Sequence, residues 1–580
     1  MTTLRRGGAA LVLGALAAAL LAWWLLRARP APDAPGAGGA PASGGALVAT
    51  LRSEPETFNR YVGVAFPTHL VAALTQARLV RINRVTQQLE PWLAERWDAA
   101  ADGLRYRLHL REGITFADGQ PFTADDVVFS FAAMYDERTG SPLGDAVRVD
   151  GKPLAATAVS PHEVEVRFPA PYGPGLRLLD NVPIYPRHKL GAALEGGTLR
   201  EAWGPLTDPA EMTGLGPFVL ERYEPGQRLV LARNPRYWRT DREGRRLPYL
   251  DRLTLEIVPD QNAELLRLQA GQIDLMQNEL RPEDYLPVKE RADAGRLRLV
   301  DVGTGLDTHL LWFNLAPRAA PDPRGGWLRR DELRLAVSHA VDRDAFARTV
   351  YLGAAEPSWG LVSPANKEWY SASAPRHPFD PARAASLLAA AGLADRNGDG
   401  RLDDETGAAA RLTLLVQKGV TASEKGAAFV RDALGRLGLT IDVVALDLSA
   451  VMGRWMQRDY DAIYHFMSAT DTDPAGNLDL WLSSGSAHVW HPRQASPATP
   501  WERAIDDLMR RQASSLDLPE RQRLFAEVQR LAGEHAPAMS FAVPHVYIAA
   551  SRRVGHFTPA VQRPQVLWDA GTLAELKMEN

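Results

Sequence analysis

Residues 89–131 combine three local patterns that restrict the chain to a mixed fold of helices and strands. Residues 104–110 alternate apolar with polar side chains, which is the period of a half-buried strand. Asp118 and Gly119 form a pair that is typical of tight turns. Thr123 then stands where an N-cap is expected, just before an apolar helical run. The sequence therefore predicts a strand, a turn and a helix in that order.

Length and composition indicate a soluble protein with more than one lobe. A chain of 580 residues is too long for a single small core. Its 46% hydrophobic and 23% charged residues are ordinary for a globular protein. The net charge of −4 argues against a nucleic-acid partner, which would require a basic face. The sequence has no cysteine, which excludes disulfides, thiolate metal sites and a lipid-modified cysteine.

The N-terminal sequence predicts an export signal or a membrane anchor. Residues 7–26 form an uncharged run that is flanked by arginines. If the run is helical, its length at about 1.5 Å per residue is just enough to span the roughly 30 Å hydrocarbon layer of a membrane. Trp23 and Trp24 stand near its outer end, as interfacial aromatic residues do. The run predicts either an uncleaved anchor or a cleaved signal, and both would export the chain. Residues 29–45 are a Pro/Gly/Ala linker.

Two further segments have readable local structure. Residues 214–238 predict a hairpin, because two apolar runs flank the turn pair Pro225 and Gly226. Residues 331–343 place apolar side chains at helical spacing. The alternation of strands and helices along the chain predicts an α/β protein.

These segments resemble the signature of extracytoplasmic solute-binding proteins of the peptide/nickel-binding family, family 5, which are receptors of ABC importers. Residues 89–131 follow the family pattern with PWLAERW and then GLRYRLHLREGITFADGQPFTADDVVFS. Residues 214–238 follow it with GLGPFVL and NPRYW, and residues 331–343 with DELRLAVSHAVDR. The resemblance extends over about residues 47–567.

The resemblance implies an α/β fold of the periplasmic-binding-protein type, class II, with an extra third lobe. The ligand would be enclosed between lobes I and III by hinge closure. The signature at residues 89–131 would lie in lobe II, away from the ligand. The expected division is residues 1–45 as signal or anchor with linker, residues 46–80 with 205–305 and 540–580 as lobe I, residues 81–204 as lobe II, and residues 306–539 as lobe III.

The resemblance also implies a ligand site in residues 468–474, SATDTDP. In peptide receptors of the family this segment often carries an Asp that pairs with the α-ammonium group of the ligand. Asp471 is the better match, whereas Asp473 precedes Pro474 and could instead fix the turn. A buried carboxylate is costly when unpaired, so a cationic ligand group would be its natural partner. Alternatively, both acids cap the helix that begins near Asn477.

Four other residues are candidates for the wall of the ligand site. Trp359 and Trp490 stand in polar or Gly/Pro-rich segments rather than in apolar elements. Most tryptophans in any protein are core residues, which is the competing interpretation. Glu54 and Asn59 lie in the first loop, where members of the resembled family line the cleft.

An acidic loop at residues 395–406 is a candidate calcium site. Its oxygen-bearing residues fall at positions 1, 3, 5 and 9 of a calcium-loop pattern, with Gly400 at the sharp turn. Position 12, which normally supplies a bidentate Glu, is Thr406. The loop is either a structural calcium site or a metal-free turn. The candidate ligands are Asp395, Asn397, Asp399 and Asp403.

No catalytic or cofactor motif is present in the sequence: it lacks a G-x-S-x-G elbow, H-E-x-x-H and a Walker loop. We therefore expect a monomeric receptor without enzymatic activity or cofactor. It would capture an oligopeptide or peptide-like solute and deliver it to an ABC permease and ATPase complex. Two alternatives remain open: a receptor for nickel or another small solute, and a membrane-anchored sensor or scaffold.

Overall fold

The fold is known from a computed structural model that describes residues 43–317, 322, 324–468 and 472–576. The strands are, in chain order, β1 (Ala46–Leu51), β2 (Val80–Ile82), β3 (Leu89–Pro91), β4 (Ala94–Ala99), β5 (Arg105–Leu110), β6 (Arg148–Val149), β7 (Lys152–Pro153), β8 (Ala155–Ser160), β9 (Glu163–Arg167), β10 (Phe218–Glu224), β11 (Arg228–Arg233), β12 (Arg252–Ile257), β13 (Arg298–Thr304), β14 (Thr308–Phe313), β15 (Ala355–Pro357), β16 (Arg411–Gln417), β17 (Thr440–Leu446), β18 (Ala462–Met467), β19 (Ala538–Ser540), β20 (Ala542–Ala550), β21 (Val554–Gly555) and β22 (Ala574–Glu575).

The α-helices alternate with these strands, as the sequence predicts for an α/β protein. They are α1 (Phe66–Thr75), α2 (Ala124–Tyr135), α3 (Pro142–Ala146), α4 (Arg187–Glu195), α5 (Gln261–Gln269), α6 (Pro282–Asp293), α7 (Gly325–Leu328), α8 (Asp331–Ala340), α9 (Arg343–Val350), α10 (Pro381–Ala390), α11 (Thr421–Gly435), α12 (Leu448–Gln457), α13 (Leu478–Trp481), α14 (Pro500–Ser514) and α15 (Leu518–His535). Short 3₁₀ helices occupy Gly175–Asn181, Pro209–Glu211, Pro474–Asn477 and Leu567–Thr572.

The first sheet has the strand order β1-β12-β11-β10. Strands β1 and β12 pair in parallel, with Leu47 opposite Leu253. Strands β10 and β11 form the hairpin that residues 214–238 predict. Leu47, Leu253 and Leu231 are fully buried, so one face of this sheet contributes to a core.

The second sheet, β4-β5-β9-β8, contains the signature segment. In β5 the side chains of Tyr106, Leu108 and Leu110 are buried, while Arg105 and Arg107 are exposed, which confirms the predicted half-buried strand. Helix α2 begins after a capping box, in which the N–H of Thr123 donates to the Asp126 carboxylate at 2.9 Å. The strand, turn and helix of residues 89–131 are thus confirmed. Buried residues of the first and second sheets form one continuous cluster, called here the first core.

The third sheet, β17-β16-β18-β14-β19, is covered by helices on both faces. Every residue of β14 is buried, as a central strand requires. Leu311 and Phe313 pack in a cluster with α8, α10 and α11, whereas Leu310 and Trp312 pack in a cluster with α14 and α15. This sheet and its helices are called here the second core.

Two adjacent crossovers join the cores. Strand β13 leads from the first core toward β14, and β20 follows β19 on the way back. Strands β13 and β20 pair with each other as antiparallel neighbours, with Arg298 opposite Ala550. Two side-by-side connections are the arrangement that allows two bodies to move as a hinge.

None of the helices in the described part of the chain is both long and apolar enough to span a lipid bilayer. The candidate anchor or signal at residues 7–26 lies outside the described residues.

Candidate functional site

Two cavities lie where the first core meets the second. The arginine cavity has a volume of about 380 Å³ and is lined by Arg60, Arg78, Arg84, Arg177 and Arg563, together with His69, Asp180 and Ser468. The aromatic cavity has a volume of about 310 Å³ and is lined by His309, Tyr351, Phe466, His545 and Tyr547, together with Glu279, Glu283 and Asp307. Each volume is in the range of sites for small solutes. The lining residues of both cavities come from sequence positions on either side of the two crossovers.

The Asp180 carboxylate neutralises part of the positive charge that lines the arginine cavity. Its carboxylate accepts hydrogen bonds from Arg84 at 2.7 Å, from Arg78 at 3.3 Å and from the Ile82 N–H at 2.7 Å. Burial alone would raise the pKa of Asp180, but the charges of Arg84 and Arg78 outweigh it and hold the pKa below its ordinary value. Arg78 and Arg84 are therefore occupied by a charge of the protein itself.

Arg563 stands between the two cavities. Its guanidinium group lies 2.9 Å from Asp307 and 2.5 Å from Glu279, both of which line the aromatic cavity. Ser468, at the end of β18, donates to Asp307 at 3.3 Å. The cluster ties the C-terminal segment to both cores at the junction.

Arg60 differs from these paired arginines. Its guanidinium donates to the Gly63 carbonyl at 3.2 Å, and no described carboxylate lies within 4.0 Å of it. Burial lowers the pKa of Arg60 to about 10. It is a half-buried cation that faces a cavity without a carboxylate partner among the described residues.

His69, on α1, faces the same cavity. Burial, and then the charge of Arg60, lower the pKa of His69 to about 4, so the ring is neutral at pH 7. Its Nε2 atom is buried and has no hydrogen-bond partner in the described structure. The ring also has a backbone hydrogen bond to Gly63.

The aromatic cavity has a neutral, hydrogen-bonded wall. The two ring nitrogens of His309 lie 3.0 Å from the Tyr351 hydroxyl and 3.1 Å from the Ser423 hydroxyl. Burial lowers the pKa of His309 to about 3, which keeps the ring uncharged. This cavity therefore combines an aromatic side with two carboxylates, Asp307 and Glu279, that are paired with Arg563.

A larger open groove of about 920 Å³ lies elsewhere, between residues 111–115 and 235–240. All of its lining residues belong to the first core and its neighbouring loops, so it is away from the junction. The signature segment contributes to this groove and to neither junction cavity, although the structure describes all of residues 89–131.

The side chains of Asn59 and Glu54, two of the predicted wall residues, form hydrogen bonds with other parts of the protein. Asn59 is 1% exposed; its amide donates to the Leu199 carbonyl at 2.8 Å and accepts from the Tyr61 N–H at 3.1 Å. It thereby fixes the loop that carries Arg60. Glu54 is exposed and accepts hydrogen bonds from the Tyr223 hydroxyl and the Gly226 N–H. Neither residue lines a junction cavity.

The two tryptophans also lie away from the junction cavities. Trp490 is 0% exposed, and its indole donates to Glu502 at 3.1 Å within the second core. A fully buried side chain offers no surface to a solute, which corrects its predicted place in a wall. The guanidinium groups of Arg343 and Arg376 lie 5.3 and 5.0 Å from the centre of the Trp359 ring, which lines a small cavity of about 30 Å³ in the second core.

Asp473 has a structural role. Its carboxylate accepts from Arg521 at 2.6 Å and from the Ala475 N–H at 3.0 Å, so it caps the 3₁₀ helix Pro474–Asn477. This matches the alternative in which Asp473 caps a helix. Arg521 supplies the cation that a buried carboxylate requires, so Asp473 does not require a cationic ligand group. Asp471 lies outside the described residues. Of the residues beside it that are described, Ser468 lines the arginine cavity and Thr472 accepts from Arg177 at 3.0 Å.

The acidic loop at residues 395–406 uses its carboxylates for backbone hydrogen bonds. Asp395 accepts from the N–H groups of Gly398 and Gly400 at 2.7 and 3.0 Å. Asp399 accepts from the Arg401 N–H, and Asp403 from the Arg396 N–H. The Asn397 side chain accepts from the Asp399 N–H. Across the described ranges, no three His, Cys, Asp or Glu side chains are grouped so as to hold a metal ion. These backbone hydrogen bonds hold the loop as a turn.

Arg60, His69 and Arg177 were not among the predicted site residues. Their cavity is assembled from segments around residues 60–84, 177–183, 468 and 562–564, which no local pattern joins. The one available signal was the position of Arg60, directly after the predicted Asn59.

Comparison with known proteins decides the family. Residues 88–488 match the bacterial extracellular solute-binding proteins, family 5 middle. The chain belongs to this family. The predicted family and the predicted role as a solute-binding receptor are therefore confirmed.

Two relatives of this family-5 protein align over most of both chains. A probable ABC transporter-binding protein of Deinococcus radiodurans is 26% identical over 558 residues, covering 90% of each chain. The oligopeptide-binding protein AppA of Bacillus subtilis is 24% identical over 533 residues, covering 88% of each.

The structure resembles that of the ABC transporter substrate-binding protein CtaP of Listeria monocytogenes. The TM-score is 0.76 at 22% identity, and the match covers 92% of this chain and 100% of the other. This likeness confirms the periplasmic-binding-protein-like α/β fold.

Proposed function

We propose that this family-5 protein captures an oligopeptide or peptide-like solute at the junction of its two cores and delivers it to a membrane permease. The observation that carries the proposal is the pair of solute-sized cavities at the junction. One offers the cationic group of Arg60, and the other offers aromatic side chains. A peptide has both ionic ends and apolar side chains, so its chemistry matches both cavities.

The proposed division into lobes follows the expected boundaries. Residues 46–80, 205–305 and 540–580 would form lobe I, residues 81–204 lobe II, and residues 306–539 lobe III. The paired strands β13 and β20 support this division, because they run side by side at the proposed boundary. Lobe III would close over the solute by rotation at these crossovers.

The partners and the location follow from the same proposal. An ABC permease with its ATPase would receive the solute and supply the free energy of transport, so no reaction is assigned to this chain. The chain would act outside the cytoplasm as a monomer, held at the inner membrane by residues 7–26. N-terminal sequencing of the membrane and soluble fractions tests the anchor, because an intact N-terminus in the membrane fraction is expected.

Asp471 remains the proposed partner of the α-ammonium group of the solute. Its support is the place of its neighbour Ser468 in the lining of the arginine cavity. Asp471→Asn should weaken the binding of peptides at least tenfold, while peptides with an acetylated N-terminus should bind the variant and the parent protein equally.

Native mass spectrometry of the purified full chain tests the proposed function. We expect added masses that correspond to short peptides, and their loss after partial unfolding and refolding. The emptied protein should then bind a mixture of synthetic peptides two to five residues long. Carriage of a metal ion alone would favour the nickel or small-solute alternative. Failure to bind any solute would favour the sensor or scaffold.

A further inference from the structure

We infer that residues 81–204, the proposed lobe II, make a second closing contact with residues 306–539, the proposed lobe III, in which the N–H of Gly173 caps the C-terminus of α14. The inference rests on the proposed function, because it concerns the closed form that holds the solute. It adds to the crossovers β13 and β20 a contact that must form each time the receptor closes.

Four hydrogen bonds connect the proposed lobe II to the second core at points separate from the crossovers. In each, a donor in residues 81–204 reaches an oxygen atom in residues 306–539. The pairs are Gln87 with the Ala365 carbonyl at 3.1 Å, Tyr172 with the Ala475 carbonyl at 3.4 Å, the Gly173 N–H with the Ala513 carbonyl at 2.6 Å, and Arg177 with the Thr472 hydroxyl at 3.0 Å. Ala475 and Ala513 also pack in the buried cluster of the first core. Because rotation at the crossovers would separate these partners, the contact stabilises only the closed arrangement.

The Gly173 hydrogen bond completes the end of a helix. Helix α14 ends at Ser514, and the last four carbonyl groups of a helix have no partner within it. The Gln512 carbonyl accepts from Nε of Arg521 at 3.0 Å, and the Ala513 carbonyl accepts from the Gly173 N–H. The proposed lobe II therefore supplies a donor that the helix lacks, and opening would return the Ala513 carbonyl to water.

Residue 173 has no room for a side chain while the contact is made. A Cβ atom there would lie 2.5 Å from the Ser515 carbonyl oxygen and would also press against Nε of Arg521. Unbonded heavy atoms ordinarily approach to about 3.5 Å, and a backbone oxygen cannot swing aside as the end of a flexible side chain can. The φ angle of Gly173 lies outside the left-handed region, so alanine fits the local backbone. Gly173→Ala therefore conflicts with the contact to the second core rather than with the backbone of its own loop.

A second part of the contact adjoins the solute cavity. The Arg177 guanidinium, which lines the arginine cavity, donates to the Gln87 carbonyl at 2.9 Å and to the Thr472 hydroxyl at 3.0 Å. Gln87 is buried, and its side-chain amide reaches the Ala365 carbonyl of the second core. Arg177 thus belongs both to the cavity wall and to the closing contact, which couples solute binding to closure.

Titration calorimetry of the full chain with the mixture of synthetic peptides two to five residues long tests the contact. Gly173→Ala should weaken peptide binding at least tenfold, because the variant cannot close fully. Gln87→Asn should weaken it about threefold, because asparagine tolerates the φ of 63° at this position but is one methylene too short to reach Ala365. Gly191→Ala, on α4, is the matched control: its Cβ would meet no atom nearer than 3.8 Å, so binding should stay within twofold of the parent protein.

Hydrogen exchange on the same proteins reports closure directly. In the parent protein and in Gly191→Ala, saturating peptides should slow exchange in residues 172–175, because closure buries the Gly173 N–H against the Ala513 carbonyl. In Gly173→Ala the peptides should leave exchange in this segment unchanged.

The outcomes separate the closing contact from the proposed function. Unchanged peptide affinity in a folded Gly173→Ala variant, or exchange in residues 172–175 that peptides do not slow in the parent protein, overturns the contact while peptide binding stands. If Gly173→Ala does not fold, unchanged affinity in Gln87→Asn overturns it instead. Failure of the parent protein to bind the peptides overturns the proposed function and the contact with it.

Discussion

Arg521 in the second core and Arg60 at the junction are both cations removed from bulk water, but their surroundings differ. The Arg521 side chain is 4% exposed; it donates to Asp473 at 2.6 Å and to the Gln512 carbonyl at 3.0 Å. Arg60 faces a cavity of about 380 Å³ and has no described carboxylate within reach. A buried charge that is paired within the protein supports the fold, whereas a cation that lines a cavity and has no described carboxylate partner is available to a solute.

The largest expected effect on stability comes from removing the buried ion pair between Arg521 and Asp473. Arg521→Ala leaves the buried Asp473 carboxylate without its cation and should lower the free energy of unfolding by about 3–5 kcal/mol. Urea unfolding of the full chain measures it. Arg187→Ala, at an exposed ion pair with Asp125, should leave the unfolding free energy nearly unchanged. An Arg521→Ala variant as stable as the parent would remove the distinction between the two arginines.

Asp180→Asn should show a smaller, pH-dependent loss. Because Arg84 and Arg78 hold the pKa of Asp180 below its ordinary value, the carboxylate stabilises the fold fully above its unfolded pKa of about 3.9. That stabilisation is lost as the pH falls through the lower pKa of the folded state. At pH 7 the variant should be less stable by about 1.5–3 kcal/mol, the cost of losing a charged hydrogen-bond partner.

Unfolding curves of the parent and of Asp180→Asn between pH 7 and pH 3 measure this effect. The difference between the two proteins should be constant down to about pH 5 and should shrink below about pH 4. A difference that grows as the pH falls would contradict the assigned direction of the pKa.

The local structure of this chain was predictable because its causes are local. The Thr123–Asp126 capping box and the alternation through β5 act within a few residues, and both are present. The turn pair Pro225 and Gly226 likewise joins β10 to β11. Family and fold class followed from segments of this kind.

The site was less predictable because its causes are long-range. Asp473 is satisfied by Arg521, a residue 48 positions away, and Trp490 is satisfied by Glu502 across the interior of the second core. Nothing in the local sequence distinguishes these pairs from exposed residues. Arg60 and Arg563 meet at one cavity although about 500 positions separate them.

The variant Trp490→Phe tests whether Trp490 is a structural residue of the second core or a residue that contacts the solute. The change keeps an aromatic ring but removes the N–H that donates to Glu502, so stability should fall by about 1 kcal/mol. The Kd for the mixture of synthetic peptides two to five residues long should not change, because the residue is fully buried. Thermal unfolding and calorimetry on the same samples measure both. Weaker peptide binding with unchanged stability would indicate that Trp490 contacts the solute.

The smallest expected effect concerns the acidic loop. Because Asp395, Asp399 and Asp403 already accept backbone N–H groups, calcium should have little to gain there. The Tm of the full chain should be the same in millimolar calcium and in excess chelator. A rise in Tm that increases with calcium concentration and is absent in Asp395→Ala would identify the loop as a calcium site.

Hydrogen exchange of the full chain, with and without a saturating mixture of synthetic peptides two to five residues long, tests whether the solute binds at the junction. Amides at the described edges of the arginine cavity, in residues 60–84, 177–183 and 562–564, should gain protection. Residues 235–240 of the open groove should exchange at the same rate in both samples. Protection at the groove with no change at the cavity edges would contradict binding of the solute at the junction.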